Sequence, residues 1–311
     1  MIAISRRLEG IGKMSPVPKE EKSAGMTIAP VDWPRELGPL DTRKLFRPLH
    51  RELTGLLESL NPADWEQETL AGEWKVRDVA AHLLDGALRR IAAGRDRHLP
   101  TPPFPIHTPH DLARFINELN RAGTAFGRRL SPRVLIDLLR ITGAWAAEHF
   151  ESLPLHDRAL WPVSWAGEAE SENWMDIARD YTEHWHHQMQ IRDAVGAPRL
   201  LEPRWMEPLL EVSVRALPVA YANLGAPEGT VVTLEVTGPT SGAWSVLREG
   251  GRWRVAGGRP GQPDAVVRMA DDDVWRVLYN AVRSPGLSER IVVEGKADLA
   301  RPLLAARSVI V

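Results

Sequence analysis

The sequence predicts two units in series, an all-α unit over residues 35–200 and a smaller α+β unit over residues 205–311. Three observations carry this. From Pro48 to Gly196, apolar residues recur at the three-and-four spacing of amphipathic helices. From about Gly229 onward, apolar and polar residues alternate, β-branched residues become common, and glycine pairs separate the runs. The chain is 311 residues long, enough for two cores of ordinary size.

The helical unit is read element by element. PLHRELTGLLESLNP carries Leu49, Leu53, Leu56, Leu57 and Leu60 at helical spacing, with Pro48 suited to a first turn and Asn61-Pro62 as the stop. EWKVRDVAAHLLDGALRRIAAG presents one stripe of Val76, Val79, Ala80, Leu83, Ala87 and Ile91, closed by Gly94. RHLPTPPFPIHTP is a loop because of its prolines. HDLARFINELNRAGTAFGRRL is a helix that Gly123 and Gly127 should weaken. Ser131 and Pro132 cap and open the next helix, RVLIDLLRITGAWAAEHFESL. SENWMDIARDYTEHWHHQMQIRDAVG is a further long helix, stopped at Gly196. PRWMEPLLEVSVRALPVAYANLG is helical with a break expected at Pro218.

The second unit follows with strands GTVVTLEVTG, GAWSVLRE, GRWRVAGG, DAVVRM and ERIVVEG. The second and third form a hairpin across Gly250-Gly251. ADDDVWRVLYNAV and KADLARPLLAA are its helices. Residues 1–30 have the Pro, Lys, Glu, Ser and Gly content of a flexible tail and no continuous apolar segment of a secretory signal.

Composition narrows the function. The net charge of -2 gives no basic field to drive nucleic-acid or anionic-membrane binding, so neither partner is expected. No apolar run reaches the roughly 20 residues of a membrane span. The absence of cysteine excludes disulfides, thiolate ligands and a cysteine nucleophile, and any thiol chemistry must use a thiol from outside the chain. A cytoplasmic location is the expectation.

One stretch concentrates reactive side chains. YTEHWHHQMQIRDAVG holds three of the ten histidines, at 184, 186 and 187, beside Glu183. Glu183 and His187 are four apart, about 40° around a helix axis, so they share a face. A histidine and a carboxylate at that spacing are two of the three protein ligands of an open zinc-type site. His82, in the middle of the second helix, is the best candidate for the third. It lies roughly 130° from the centre of its helix's apolar stripe, and Glu183 and His187 lie similarly off theirs. Both positions suit a groove, and both suit open solvent, so spacing leaves the metal and the solvated readings side by side.

The segments GEWKVRDVAAHLLD and YTEHWHHQMQIRDAVG resemble the two signature segments of the DinB-type, mycothiol-dependent maleylpyruvate isomerase family. The first is its W-x-V-x-D-V-x-x-H-L helix, here residues 74–83, and the second its E-x-x-x-H helix running into (D/Q)-I-R-x-A-x-G, here residues 183–196. SPRVLIDLL between them is also similar, and the likeness covers roughly residues 40–200. The resemblance implies a DinB-like four-helix bundle. It also implies a divalent metal, usually zinc, held by His82, Glu183 and His187, and a low-molecular-weight thiol such as mycothiol as cofactor. The position often acidic after the second histidine is here Gln190, which leaves a supporting role there open. DAVVRMADDDVWRVLYNAV and IVVEGKADLARPLL resemble the sterol-carrier-type domain that follows such bundles.

The implied activity is presentation of a thiolate to an electrophilic small molecule, by isomerisation or S-transfer. Two rivals stand beside it. A metal-dependent hydrolase would use metal-bound water and need no thiol. A non-catalytic protein would hold an apolar ligand, with a metal only structural. Among the other candidates, His184 and His186 are read as supporting or surface residues, and His107 and His110 as part of a capping turn. Asn117 and Asn120 are read as solvated, and Trp145, Trp174 and Trp185 as core. The glycine pairs lack the strand-to-helix setting of a phosphate loop, and no G-x-S-x-G elbow occurs.

Overall fold

The structure is a computed structural model that describes residues 33–309. The N-terminal tail read from residues 1–30 lies outside the described residues. Five long helices come first: α1 (Phe46–Ser59), α2 (Val76–Gly94), α3 (Pro109–Gly127), α4 (Pro132–Ser152) and α5 (Asn173–Ala194). Two shorter ones follow, α6 (Pro203–Ser213) and α7 (Leu217–Tyr221). Then come β1 (Val231–Thr237), β2 (Gly242–Glu249), β3 (Arg252–Gly257), β4 (Ala265–Ala270), α8 (Asp271–Leu278), α9 (Leu287–Arg290), β5 (Val292–Gly295) and α10 (Ala297–Ala305).

Local chemistry explains the boundaries. At the start of α2 the Asp78 carboxylate accepts from the Lys75 backbone N–H at 3.1 Å, satisfying a free donor of the first turn. Thr108 and Asp111 form the reciprocal box at the start of α3, so the HTPH stretch is a capping turn, with His107 and His110 exposed. Ser131 accepts from the Val134 N–H, with Pro132 in the first turn of α4. Gly196 leaves α5 at φ 66°, a conformation glycine adopts without Cβ strain.

Four expectations change. Gly94 ends α2 but is not its left-handed cap; that conformation falls on Arg97, at φ 58°. A Cβ at Gly94 would instead meet the His149 ring at 2.4 Å, so the glycine is a packing requirement. The break before Pro218 lies in a 3-10 turn at Val214–Ala216, and Pro218 sits in the first turn of α7, where its missing N–H costs nothing. Trp145, expected in the core, is 41% exposed on α4. The strand expected over ERIVVEG starts only at Val292, because Glu289 and Arg290 belong to the short helix α9.

The sheet has the order β3-β2-β1-β4-β5. Strands β1 and β4 pair in parallel, and the other pairs are antiparallel. Its central strand β1 is buried from Val231 to Val236. Gly250 and Gly251, at φ 58° and 73°, make the two-residue turn of the β2–β3 hairpin. Arg35 pairs with Gly257, so the chain just before α1 adds to the edge of β3.

Helix α5 is the centre of the packing. Tyr181, Trp185 and Met189 join an apolar cluster with residues of α6, α7 and the sheet, while Ile191 also reaches the cluster built on α1, α2 and α4. A helix enclosed on nearly every side shows no single apolar stripe. Its polar residues are buried with it: Asp176 takes a two-pronged contact from Arg90 (2.7 and 3.1 Å), and Arg192 reaches Gln188 and Glu52.

Candidate metal centre

Three side chains from two helices converge at mid-bundle. His82 comes from α2, and Glu183 and His187 from successive turns of α5. The Nε2 of His82 lies 3.0 Å from Glu183 Oε1, and the Nε2 of His187 lies 3.2 Å from the same oxygen. One ligand atom from each residue falls within 4.8 Å of the others. The expectation that placed both sets off their apolar stripes left solvent open; His82 and His187 are in fact 5% and 7% exposed. Glu183 keeps 30% of its side chain accessible, so the cluster has one open side.

The tautomer of His187 follows from its neighbour. Its Nδ1 is 2.8 Å from the amide oxygen of Gln190, which is itself buried. An amide oxygen only accepts, so Nδ1 carries a proton, and in the neutral ring Nε2 is the nitrogen that presents a lone pair toward Glu183. The supporting role left open at Gln190 is therefore filled, by an amide where a carboxylate was the alternative. His82 has no protein partner on Nδ1 and is held by packing, with the Trp74 ring at 4.9 Å and the His187 ring at 4.6 Å.

The electrostatics match a set of cation ligands. Burial, reinforced by the neighbouring His187, pushes His82 below its ordinary value, so the ring is neutral with a free lone pair. Burial pushes the Glu183 carboxyl up, but positive charge on the imidazole side, from a proton on His187 or His82 where a cation would otherwise sit, outweighs it and holds the group well below the usual carboxylate range. Two imidazole lone pairs aimed at an ionised oxygen repel one another unless a positive charge sits among them.

The other histidines have separate places. His186 is buried, with Nδ1 2.9 Å from the Thr182 carbonyl, and burial takes its pKa to about 3. Its ring stacks on Tyr279 at 4.5 Å and lies 4.1 Å from His187. Tyr279, just past α8, thus carries the sheet's helices to the back of the cluster, and its hydroxyl meets Ser213 of α6. His184 points instead toward Asp180, 3.8 Å away. Asn120 accepts from Arg89, which also holds Asp85, while Asn117 is exposed. Gln190 was legible as the i+3 neighbour of His187. Tyr279 gave no sequence signal, because its contact spans two distant parts of the chain.

Helix α3 is drawn onto α2 beside the cluster. A Cβ at Gly123 would meet the Asp85 carboxyl carbon at 2.3 Å, and one at Gly127 would meet the Ala81 Cβ at 2.2 Å. The two glycines therefore set the helix spacing, and Arg128, one residue on, grips the buried Asp78 through Nε at 2.7 Å and Nη2 at 3.1 Å.

Residues 46–192 match the family model described as the mycothiol maleylpyruvate isomerase N-terminal domain. Among solved structures, the chain is similar to the mycothiol-dependent maleylpyruvate isomerase: 17% identity, 81% of this chain and 91% of that one covered, TM-score 0.51. A single-site variant of that isomerase matches with TM-score 0.50 at the same identity and coverage. A sterol carrier protein 2 like 2 from Aedes aegypti matches over 30% of this chain and 93% of its own, at 20% identity and TM-score 0.24. No curated protein sequence matches the chain. Residues 46–192 thus carry the N-terminal domain of the mycothiol maleylpyruvate isomerase family, and the chain shares the fold of that isomerase.

Proposed function

We propose that the protein is a metal-dependent enzyme that brings a low-molecular-weight thiol, mycothiol or one like it, to an electrophilic small molecule. The carrying observation is the convergence of two imidazole Nε2 atoms on one ionised carboxylate oxygen, with the His187 tautomer set by Gln190. Two histidines and a glutamate are a donor set suited to zinc with a coordination position left free, so His82, Glu183 and His187 are the residues that would hold it. A divalent zinc ion bound there would supply the positive charge that keeps an incoming thiol in its thiolate form.

The chain's own residues do the rest. His82 and His187 each offer an Nε2, Glu183 brings the negative charge that offsets the cation, and Gln190 keeps a His187 proton on Nδ1. Trp74 closes one side of the His82 ring, which keeps water from that face. The partly accessible edge of Glu183 marks the side from which thiol and substrate approach. The thiol must come from outside because the chain has no cysteine. The family likeness supports mycothiol as that thiol and an isomerisation such as that of maleylpyruvate as the reaction.

The test is turnover of maleylpyruvate and of simple electrophiles by zinc-loaded protein, with and without added thiol. Turnover that needs both zinc and thiol is expected. Equal turnover without thiol would replace this reading with metal-assisted hydrolysis, and zinc binding without turnover of any electrophile would favour a binding protein.

A further inference from the structure

Helix α4 packs one face on α1 and α2 and leaves another bare. Val134, Ile141 and Trp145 are 44%, 48% and 41% exposed, and Leu138 is half-buried between them. Positions 134, 138, 141 and 145 fall within about 60° of one another around the helix, a seam of the kind that seals against another helix. None of these residues belongs to the metal cluster. Soluble proteins scatter single exposed apolar residues, but four in register along one face form a stripe of the sort that marks an interface.

The charges beside the stripe indicate what covers it. Most are satisfied within the chain: Arg140 pairs with Glu58 and Asp137, and Glu151 with Arg47. Arg133 and Glu148 are exposed and have no ion-pair partner among the described residues. They lie on the same side of the stripe, at opposite ends, about 22 Å apart along the axis. An antiparallel two-fold pairing keeps each side of one helix on the same side of the other and reverses its direction. It would set Val134 opposite the second copy's Trp145 and Leu138 opposite its Ile141. The same operation brings Arg133 of each chain to Glu148 of the other, twice. Parallel pairing, by contrast, would leave Arg133 and Glu148 at opposite ends of the seam with neither meeting the other.

We infer that the exposed face of α4 is where a second copy of this chain docks, antiparallel about a two-fold axis, with Arg133 and Glu148 fixing the direction. The apolar seam supplies the attraction and the charges the register. The full chain is followed by sedimentation over a dilution series, with zinc affinity as the control for an intact fold. A dimer that dissociates on dilution is expected, and Ile141→Asp should leave monomer with unchanged zinc affinity. Arg133→Glu and Glu148→Arg should each weaken the dimer about tenfold or more, because each makes two like-charge contacts. Mixing those two variants, or combining both substitutions in one chain, should restore it. A chain that stays monomeric at every concentration would overturn the inference. So would a dimer indifferent to Ile141→Asp and the charge reversals, or a stripe that binds lipid vesicles and forms no dimer.

Discussion

At the residue scale, the cluster depends on which nitrogen of His187 carries its proton. Gln190 fixes this with one hydrogen bond of 2.8 Å. Replacing it with leucine removes the acceptor and leaves the imidazole free to exchange tautomers. Zinc affinity of Gln190→Leu should fall about 10- to 100-fold, measured by competition with a chromogenic chelator. Affinity equal to the parent would show that packing alone orients the ring. His187→Ala removes a donor outright and should abolish tight zinc binding while leaving the helical circular dichroism in place, because burial of apolar side chains holds the bundle. Glu183→Gln keeps an oxygen donor but loses its charge, so it should bind more weakly than the parent and more tightly than His187→Ala, in the same competition assay.

At the scale of elements, the α2–α3 contact opposes helix propensity to packing. Glycine costs a helix up to about 1 kcal/mol relative to alanine, less at the last helical position that Gly127 holds, so on propensity alone Gly127→Ala should slightly stabilise the helix. Here the new methyl would fall 2.2 Å from the Ala81 Cβ, and neither atom has a flexible end to move away. Gly127→Ala should therefore lower stability by about 1–3 kcal/mol in urea unfolding, and Ala81→Gly should recover part of the loss. A stabilised Gly127→Ala protein would mean the helices are not held at this spacing. The two glycines read in sequence only as helix weakeners, since their partners lie on another helix. Elements with a local signature were legible: the Ser131-Pro132 start, the Gly250-Gly251 hairpin and the strand alternation from Val231. What was not legible depended on tertiary contact. Gly94 reads as a cap because its conflict with His149 is remote. Trp145 reads as core because size and hydrophobicity say nothing of which face is covered.

At the scale of the whole molecule, enclosure of α5 between bundle and sheet pushes His184 and His186 below their ordinary values and keeps them neutral. It also hid the site from periodicity, because a helix buried on all sides has no wet face to mark. The spacing of Glu183 and His187 was visible, but their meeting with His82 rested on resemblance until two helices were packed together. The same enclosure makes stability depend on pH. Burial, helped by the neighbouring His184, pushes His50 from 6.5 down to about 4. The unfolded chain takes up that proton near 6.5, while the folded chain resists it until about 4. The contribution is therefore complete above pH 6.5 and is lost as the pH falls toward 4. It amounts to something on the order of 3 kcal/mol. The melting temperature should drop across that interval, and His50→Gln should flatten the drop; an unchanged slope in that variant would assign the effect elsewhere.

His82, Glu183 and His187 are proposed to hold a metal together, with a coordination position to spare. X-ray absorption at the zinc edge of the loaded protein reads that coordination shell. Two imidazole nitrogens and one carboxylate oxygen at about 2.0–2.2 Å are predicted, and added thiol should bring in one sulfur at about 2.3 Å. A shell of water oxygens alone, or a shell closed by a fourth protein ligand that admits no sulfur, would contradict it.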